Sequence, residues 1–351
     1  MEFFKKAVNR IITDGNPTYE ELLYIIKSRN DETARYLKEK AVELRKEYYG
    51  NTVFLRGLIE ISNICRNDCY YCGIRNSNCN KKPYKLSQDE ILESCEIGYK
   101  NGLRTFVLQS GEGAYNTDEI CSTVKKIKRK FPDTAVTLSL GECSYEEYRD
   151  MFLSGVDRYL LRHETADKAH YCRLHPSAMS YDNRMNCLKN LREIGYRVGC
   201  GFMVGSPYQT EENIASDIKF ISDFSPDMCG IGPFIPHKDT IFKNSPNGST
   251  FLTVYCLSLI RIIKPNILLP STTALATVSG DDGRAEGILS GANVIMPNLT
   301  PEKYINQYSL YDKKANTGNE SIDGIKTLKE QLEKIGYRAV VDKGDIRYDK
   351  I

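Results

Sequence analysis

VFLRGLIEIS, residues 53–62, is followed after two residues by CRNDCYYC, residues 65–72. The first stretch is apolar and rich in branched side chains, the composition of a buried parallel strand. Runs of the same kind recur downstream: TFVLQS (105–110), AVTLSLG (135–141), RYLLRHE (158–164), RVGCGFMVG (197–205), MCGIGPF (228–234), ILLPSTTA (267–274) and NVIMP (293–297). Helix starts lie between them, with capping-box spacing at Ser87/Glu90, Asn116/Glu119 and Ser144/Glu147. Helix stops fall at Asn101-Gly102, Gly155 and Gly195. Eight such runs alternating with helices predict an α/β fold with a parallel sheet and right-handed crossovers. Eight is also the number that closes a TIM-type (β/α)8 barrel. An open doubly wound sheet is the alternative. Residues 1–50 read as an N-terminal helical extension, which a capping box at Thr18/Glu21 supports, and 51–300 as the barrel. Residues 301–351 read as a C-terminal cap on the barrel, with a helix in IDGIKTLKEQLEKIGY (322–337) and a short extended end.

A chain of 351 residues can bury a sizeable core without crosslinks. Its net charge of +2 provides no field for nucleic acid or a membrane surface. No apolar run approaches the ~20 residues of a membrane span. The start, MEFFKKAVNRIITDGN, has scattered charges and no apolar signal region, so the expected compartment is the cytoplasm. Of 12 cysteines, Cys65, Cys69 and Cys72 are clustered and the others scattered. In a reducing compartment clustered thiols are better metal ligands than crosslinks.

The spacing C-x3-C-x2-C places three thiolates on one tight loop at the end of the first predicted strand. Three thiolates can hold three irons of a four-iron four-sulfur cluster, leaving the fourth iron open to an exogenous ligand. The rivals are a structural zinc site, which wants four ligands in paired spacing, and a ferredoxin-like carrier, which wants a fourth cysteine. Cys79 is near but lies in a polar loop without motif spacing.

Ligands of such a barrel gather at the C-terminal ends of the strands. After the second run stand Gln109-Ser110-Gly111-Glu112, where glycine lets backbone approach a ligand and Glu112 offers a carboxylate to an ammonium group. Arg162 and Glu164, two apart in the fourth run, are expected on one face of a strand. Arg184 opens the helix in SYDNRMNCL, and Met203-Val204-Gly205 and Gly230-Ile231-Gly232 close the fifth and sixth runs. His163 and His237 lie at strand ends but suit structural hydrogen bonding better than base catalysis. No nucleophile triad or phosphate-binding loop is present.

The cysteine motif with Tyr71 before its last cysteine resembles the signature of the radical S-adenosylmethionine superfamily. That resemblance implies that the open iron chelates S-adenosylmethionine. One-electron reduction then cleaves the sulfonium to a 5′-deoxyadenosyl radical, so no catalytic side chain beyond the cluster is expected. It further implies that Tyr71, Gln109, Ser110, Gly111, Glu112, Arg162, Glu164, Arg184, Met203, Ile231 and Tyr308 surround the cofactor, Arg184 pairing with its carboxylate.

The stretches LRHETA (161–166), GIGPFIPHKDT (230–240), PSTTALAT (270–277) and GANVIMPNLTP (291–301) resemble the FeFe-hydrogenase maturases of the HydE type. Methylornithine synthase-like and biotin synthase-like enzymes are the alternatives, and a non-catalytic iron–sulfur electron carrier is the remote one. The family implies a long barrel cavity, with Arg56, Gln109, Ser110, Thr137, Thr272 and Thr273 on it and Tyr308 and Tyr311 closing it. Arg56, Gln109 and Thr137 also interrupt apolar runs with polar groups that must find a partner or a ligand. Thr272 and Thr273 are expected to end the seventh strand. No acidic residue stands in the seventh or eighth run to receive the ammonium of a lysine substrate. The last cysteine is Cys256, so one cluster is expected rather than two. The implied substrate is small, organometallic or amino-acid-derived, with a cysteine-bound iron carbonyl cyanide complex favoured. The implied partners are other hydrogenase maturases, a scaffold protein, and a reductant such as flavodoxin or ferredoxin.

Overall fold

The computed structural model describes residues 1–280, 283–314 and 324–351. Three helices open the chain: α1 (Glu2–Asp14), α2 (Tyr19–Lys27) and α3 (Asp31–Tyr49). The spacing of Phe4, Val8 and Ile11 gives α1 one apolar stripe, and all three are buried. The capping box at Thr18/Glu21 forms as expected, and a second one, Asn30/Thr33, starts α3.

The barrel follows. Its first strand has two parts, β1 (Thr52–Leu55) and β2 (Gly57–Ser62), interrupted at Arg56. Then come α4 (Gln88–Lys100), β3 (Thr105–Ser110), α5 (Thr117–Lys130), β4 (Ala135–Ser139), α6 (Tyr145–Leu153), β5 (Arg158–Leu160), α7 (Lys168–Leu174) and α8 (Tyr181–Ile194). The fifth and sixth runs each break in two: β6 (Arg197–Cys200) and β7 (Met203–Val204), α9 (Glu211–Phe224), then β8 (Met228–Cys229) and β9 (Gly232–Pro233). At the break the two segments run very close together. Gly201 has φ 155, and a Cβ there would lie 2.0 Å from the Gly230 carbonyl oxygen. The remaining elements are α10 (Thr250–Ile263), α11 (Thr273–Ser279), α12 (Gly283–Leu289), β10 (Val294–Ile295), α13 (Glu302–Ile305), α14 (Gly324–Lys334) and β11 (Arg338–Val340). Ile322 and Asp323, which open the predicted last helix, lie outside the described residues.

Strands β2-β3-β4-β5-β6-β8 pair in parallel in that order. The regular ladders leave a gap between β8 and β10, and the isolated parallel bridges Met228↔Leu268 and Pro270↔Val294 span it. Strand β10 then pairs with β1. The seventh run therefore forms bridges but no ladder. Its end is helical: Thr272 caps α11, accepting from the Leu275 backbone N–H at 3.4 Å, and Thr273 is the first helical residue. The expectation that both threonines end a strand is corrected, since the cap already engages one hydroxyl. Arg162 and Glu164 also lie beyond their strand, which ends at Leu160, and Glu164 adopts φ 65.

Helices α2 and α3 pack on α9 and α10. At the other end of the chain β11 pairs with β1, and the last residues enter the N-terminal end of the barrel. There Arg56 donates to the Gly344 carbonyl at 2.9 Å and Arg158 to the Lys343 carbonyl at 2.9 Å. No helix among the described residues is long and apolar enough to cross a membrane.

Candidate active site at the C-terminal ends of the strands

The loop after β2 carries Cys65, Cys69 and Cys72, and all three side chains line one pocket. The loop is folded on itself and pinned from two sides. The Cys72 N–H donates to the Cys69 carbonyl at 3.2 Å, the Arg66 N–H to the Glu112 carbonyl at 2.9 Å, and the Gly73 N–H to the Leu310 carbonyl at 2.9 Å. Gly111 packs so closely on this loop that a Cβ would stand 2.2 Å from the Ile64 carbonyl oxygen. Burial raises the pKa of the Cys69 thiol well above its ordinary value, with repulsion from Cys72 adding to it and Arg184 opposing. Burial pushes Cys72 up to about 12, with Cys65 adding repulsion. Deprotonating these partly enclosed thiols works against desolvation and mutual repulsion, and a cationic iron centre would offset both. A mononuclear site requires donors converging on one point, and no such group of three His, Cys, Asp or Glu residues occurs among the described residues. A cluster asks instead for thiolates on separate irons around a shared void.

Most of the predicted cofactor residues line the same pocket: Tyr71, Gln109, Ser110, Gly111, Glu112, Arg162, Glu164, Arg184, Met203 and Tyr308. Ile231 does not. Its side chain is buried in the main hydrophobic core, while its neighbours Gly232 and Pro233 face the pocket. Glu112 is already engaged: it accepts from Arg66 at 2.8 Å and from the Glu142 N–H at 2.8 Å. Arg184 is fixed through Nε to Glu142 at 2.5 Å and through Nη1 to the Arg162 carbonyl at 2.7 Å. Arg162 and Glu164 approach within 3.3 Å, yet Arg162 Nε and Nη2 and Glu164 Oε2 are buried without a hydrogen-bond partner. The distance alone makes an ion pair, but its geometry satisfies neither group. Buried orphans of opposite sign, side by side, fit a zwitterionic ligand with hydroxyl, ammonium and carboxylate groups.

Tyr71 is held from behind. His175 Nδ1 faces the Tyr171 carbonyl at 2.9 Å, so Nδ1 carries the proton. Nε2 is then an acceptor, and the Tyr71 hydroxyl donates to it at 3.2 Å. Burial pushes the His175 pKa down to about 3, so this acceptor stays neutral.

Below the pocket lies a second cavity. The two share Gln109, Arg162, Thr272 and Tyr311 on their walls, so they adjoin. The lower part takes in Arg56, Thr137, Thr272, Thr273 and Tyr311, and Ser110 stays in the upper part. Thr137 Oγ1 and Arg56 Nε are buried without partners. Burial and the nearby Arg158 hold the Arg56 pKa well below its ordinary value. Tyr308, Leu310 and Tyr311 cross the mouth, and Gln109 donates to the Tyr308 hydroxyl at 3.2 Å.

Three functional-site residues escaped the reading of the sequence. Glu142 follows β4 after two residues, and its position past a strand end could have drawn attention to it. Glu60 lies inside an otherwise apolar strand and its side chain is 2% exposed in the cavity wall. Lys314 reaches it from the mouth segment, and nothing local in the sequence signals that contact.

The Radical SAM superfamily matches residues 59–221. The FeFe hydrogenase maturase subunit HydE of Thermotoga maritima is 42% identical over 304 residues, 87% of this chain and 86% of the relative. The 3-methylornithine synthase of Methanosarcina acetivorans is 25% identical over 93% of this chain and 91% of its own length. Among solved structures, methylornithine synthase superposes with a TM-score of 0.83 at 24% identity, covering 95% of this chain and 97% of that one. The maturase HydG from Carboxydothermus hydrogenoformans gives 0.78 at 18% identity over 96% of this chain and 79% of that one. At those identities the two structures speak for the fold alone.

Proposed function

Because the chain belongs to the family of the FeFe hydrogenase maturase subunit HydE, within the radical S-adenosylmethionine superfamily, we propose that its cavity processes a small precursor of the hydrogenase di-iron site. The enzyme uses a four-iron four-sulfur cluster and S-adenosylmethionine. When bound, these supply reductive sulfonium cleavage and a 5′-deoxyadenosyl radical. The chain's own residues bind and orient. Cys65, Cys69 and Cys72 hold the cluster. The Glu164 carboxylate and the Arg162 guanidinium each take a polar group of the cofactor, and Arg184, set at its angle by Glu142, faces the cofactor carboxylate. Tyr71 and Tyr308 wall the pocket, and Tyr308 and Tyr311 exclude water from the mouth. Arg56, Thr137, Thr272 and Thr273 line the substrate end, where neutral and cationic donors suit carboxylate and cyanide groups. The favoured substrate is a cysteine-bound iron carbonyl cyanide complex. A single cluster is expected, the setting is the cytoplasm, and the partners are other maturases and a reductant such as flavodoxin or ferredoxin.

One observation carries this reading: a three-thiol pocket adjoins, across shared wall residues, a barrel cavity whose wall holds polar atoms without hydrogen-bond partners. The test is anaerobic reconstitution followed by a 5′-deoxyadenosine assay with and without candidate precursors, run beside in vitro maturation of an FeFe-hydrogenase. Product formation with the precursor and active hydrogenase are expected. No 5′-deoxyadenosine under any reductant would sink the reading.

A further inference from the structure

Glu60 is the lone acid among the described residues that line the lower cavity, where Arg56, Arg162, Arg284 and Lys314 also stand. It sits on β2, and Oε2 accepts from the Asn298 side-chain amide at 3.0 Å. Oε1 receives the Lys314 ammonium in a close contact. Lys314 does not belong to the barrel wall. It comes from the segment that crosses the mouth, and its side chain is only 10% exposed. The backbone turns to deliver it: the exposed Lys313 beside it takes φ 53, a left-handed conformation that costs a non-glycine residue free energy. The Lys314 ammonium also lies 3.4 Å from the Tyr308 carbonyl and 5.3 Å from the centre of the Tyr308 ring.

A buried carboxylate, a carbonyl oxygen and an aromatic ring around one point make a receptor for a primary ammonium group. The chain fills that receptor itself. A substrate ammonium at this depth would have to displace Lys314 and leave a buried cation without its partner, which is costly. We propose that Glu60 is the acceptor of a primary-ammonium subsite in the barrel, and that Lys314 occupies it and so sets specificity against substrates bearing a free ammonium there. The inference rests on the reading that this void is the substrate cavity. It also explains how the cavity contains a carboxylate and yet presents cationic and neutral donors to its ligand.

The test uses the anaerobically reconstituted enzyme with n-butylammonium as the probe. Calorimetry should show Lys314→Ala binding the probe at least about tenfold more tightly than wild type. The Glu60→Gln/Lys314→Ala double variant should lose that gain. Equal affinity in wild type and Lys314→Ala, or retention in the double variant, overturns the proposal. Should Lys314→Ala not fold, the wild type decides by itself through timed acetylation read by mass spectrometry. Exposed Lys313 should label early and Lys314 late, and equal rates overturn the proposal. Cofactor cleavage by the wild type is followed in parallel, so its failure would fall on the proposed function and not on the subsite.

Discussion

Arg158 and Arg162 leave the same stretch of chain and stand at opposite ends of the barrel. Arg158, at the N-terminal end, has protein partners on both terminal nitrogens. It donates to Thr105 Oγ1 at 3.0 Å and the Lys343 carbonyl at 2.9 Å, and pairs with Asp345 at 2.5 Å. Arg162, at the C-terminal end, keeps Nε and Nη2 buried without a hydrogen bond, Nη2 having only the Glu164 carboxylate at 3.3 Å in ion-pair range. Both are costly to bury, and only one is satisfied by the protein. The difference separates a seal from a site. The chain devotes its last residues to closing one end, while at the other it leaves polar groups for a ligand to complete.

The hardest way to break the mouth is to remove the cysteines proposed to hold the cluster. Cys65→Ala, Cys69→Ala and Cys72→Ala should each abolish S-adenosylmethionine cleavage, while the exposed Cys79 tolerates the same change. Iron analysis of the reconstituted wild type should give roughly four irons per chain. Full activity in any of the three variants would refute the ligand set, and a value near about eight irons would reveal a second cluster.

Arg184→Ala should weaken cofactor binding by about 2–5 kcal/mol, the range for truncating one partner of a desolvated charge pair, with iron content unchanged. Glu142→Gln should act in the same direction and less, because the amide oxygen can still accept from Arg184 Nε while the charge that strengthens the contact is lost. Equilibrium binding measured by calorimetry checks both, and unaltered affinity would return Arg184 to a structural role. At the opposite end Arg158→Met should leave affinity alone and lower stability by about 2 kcal/mol, the scale of lost charge-assisted hydrogen bonds. That figure is held down because Asp345 is largely exposed and regains water. A cofactor-binding defect in Arg158→Met would collapse the contrast between the two ends.

The periodic parts of this architecture were legible in the sequence and the irregular parts were not. Capping boxes at Ser87, Asn116 and Ser144 all form, because each needs only residues three apart. The cysteine loop was legible for the same reason. The seventh run misled: ILLP has strand composition, but Thr272 is a better helix cap than strand terminus, and that competition is settled by what packs around it. Ile231 reads from the sequence as part of a backbone stretch beside the cofactor, and its side chain, at 1% exposure, belongs to the core while Gly232 and Pro233 line the pocket. The Glu60–Lys314 contact spans 254 positions, so no local pattern could announce it.

The smallest expected effect concerns the two threonines. Thr272→Val removes the side-chain acceptor that caps α11, which should cost about 1 kcal/mol of stability. Thr273→Val removes a hydroxyl from the first helical position and should cost less. Both side chains line the lower cavity, so the double variant should also impair maturation of an FeFe-hydrogenase while leaving iron content and cofactor affinity intact. The two consequences can be told apart. Thr272→Ser keeps the cap and a donor, so it should restore both stability and maturation, whereas Thr272→Asp keeps a cap but adds an anion facing the cavity. If capping alone mattered, the Asp variant would mature hydrogenase as well as wild type. If the cavity surface matters, it should be as stable as wild type in thermal unfolding and still fail in maturation, since a carboxylate there repels an anionic ligand. Lysine supplied to the wild type should yield no methylornithine, because Lys314 already holds the Glu60 carboxylate. Formation of methylornithine would show that the mouth segment gives way to a free ammonium, and the seal-and-site contrast would then need a third, movable part.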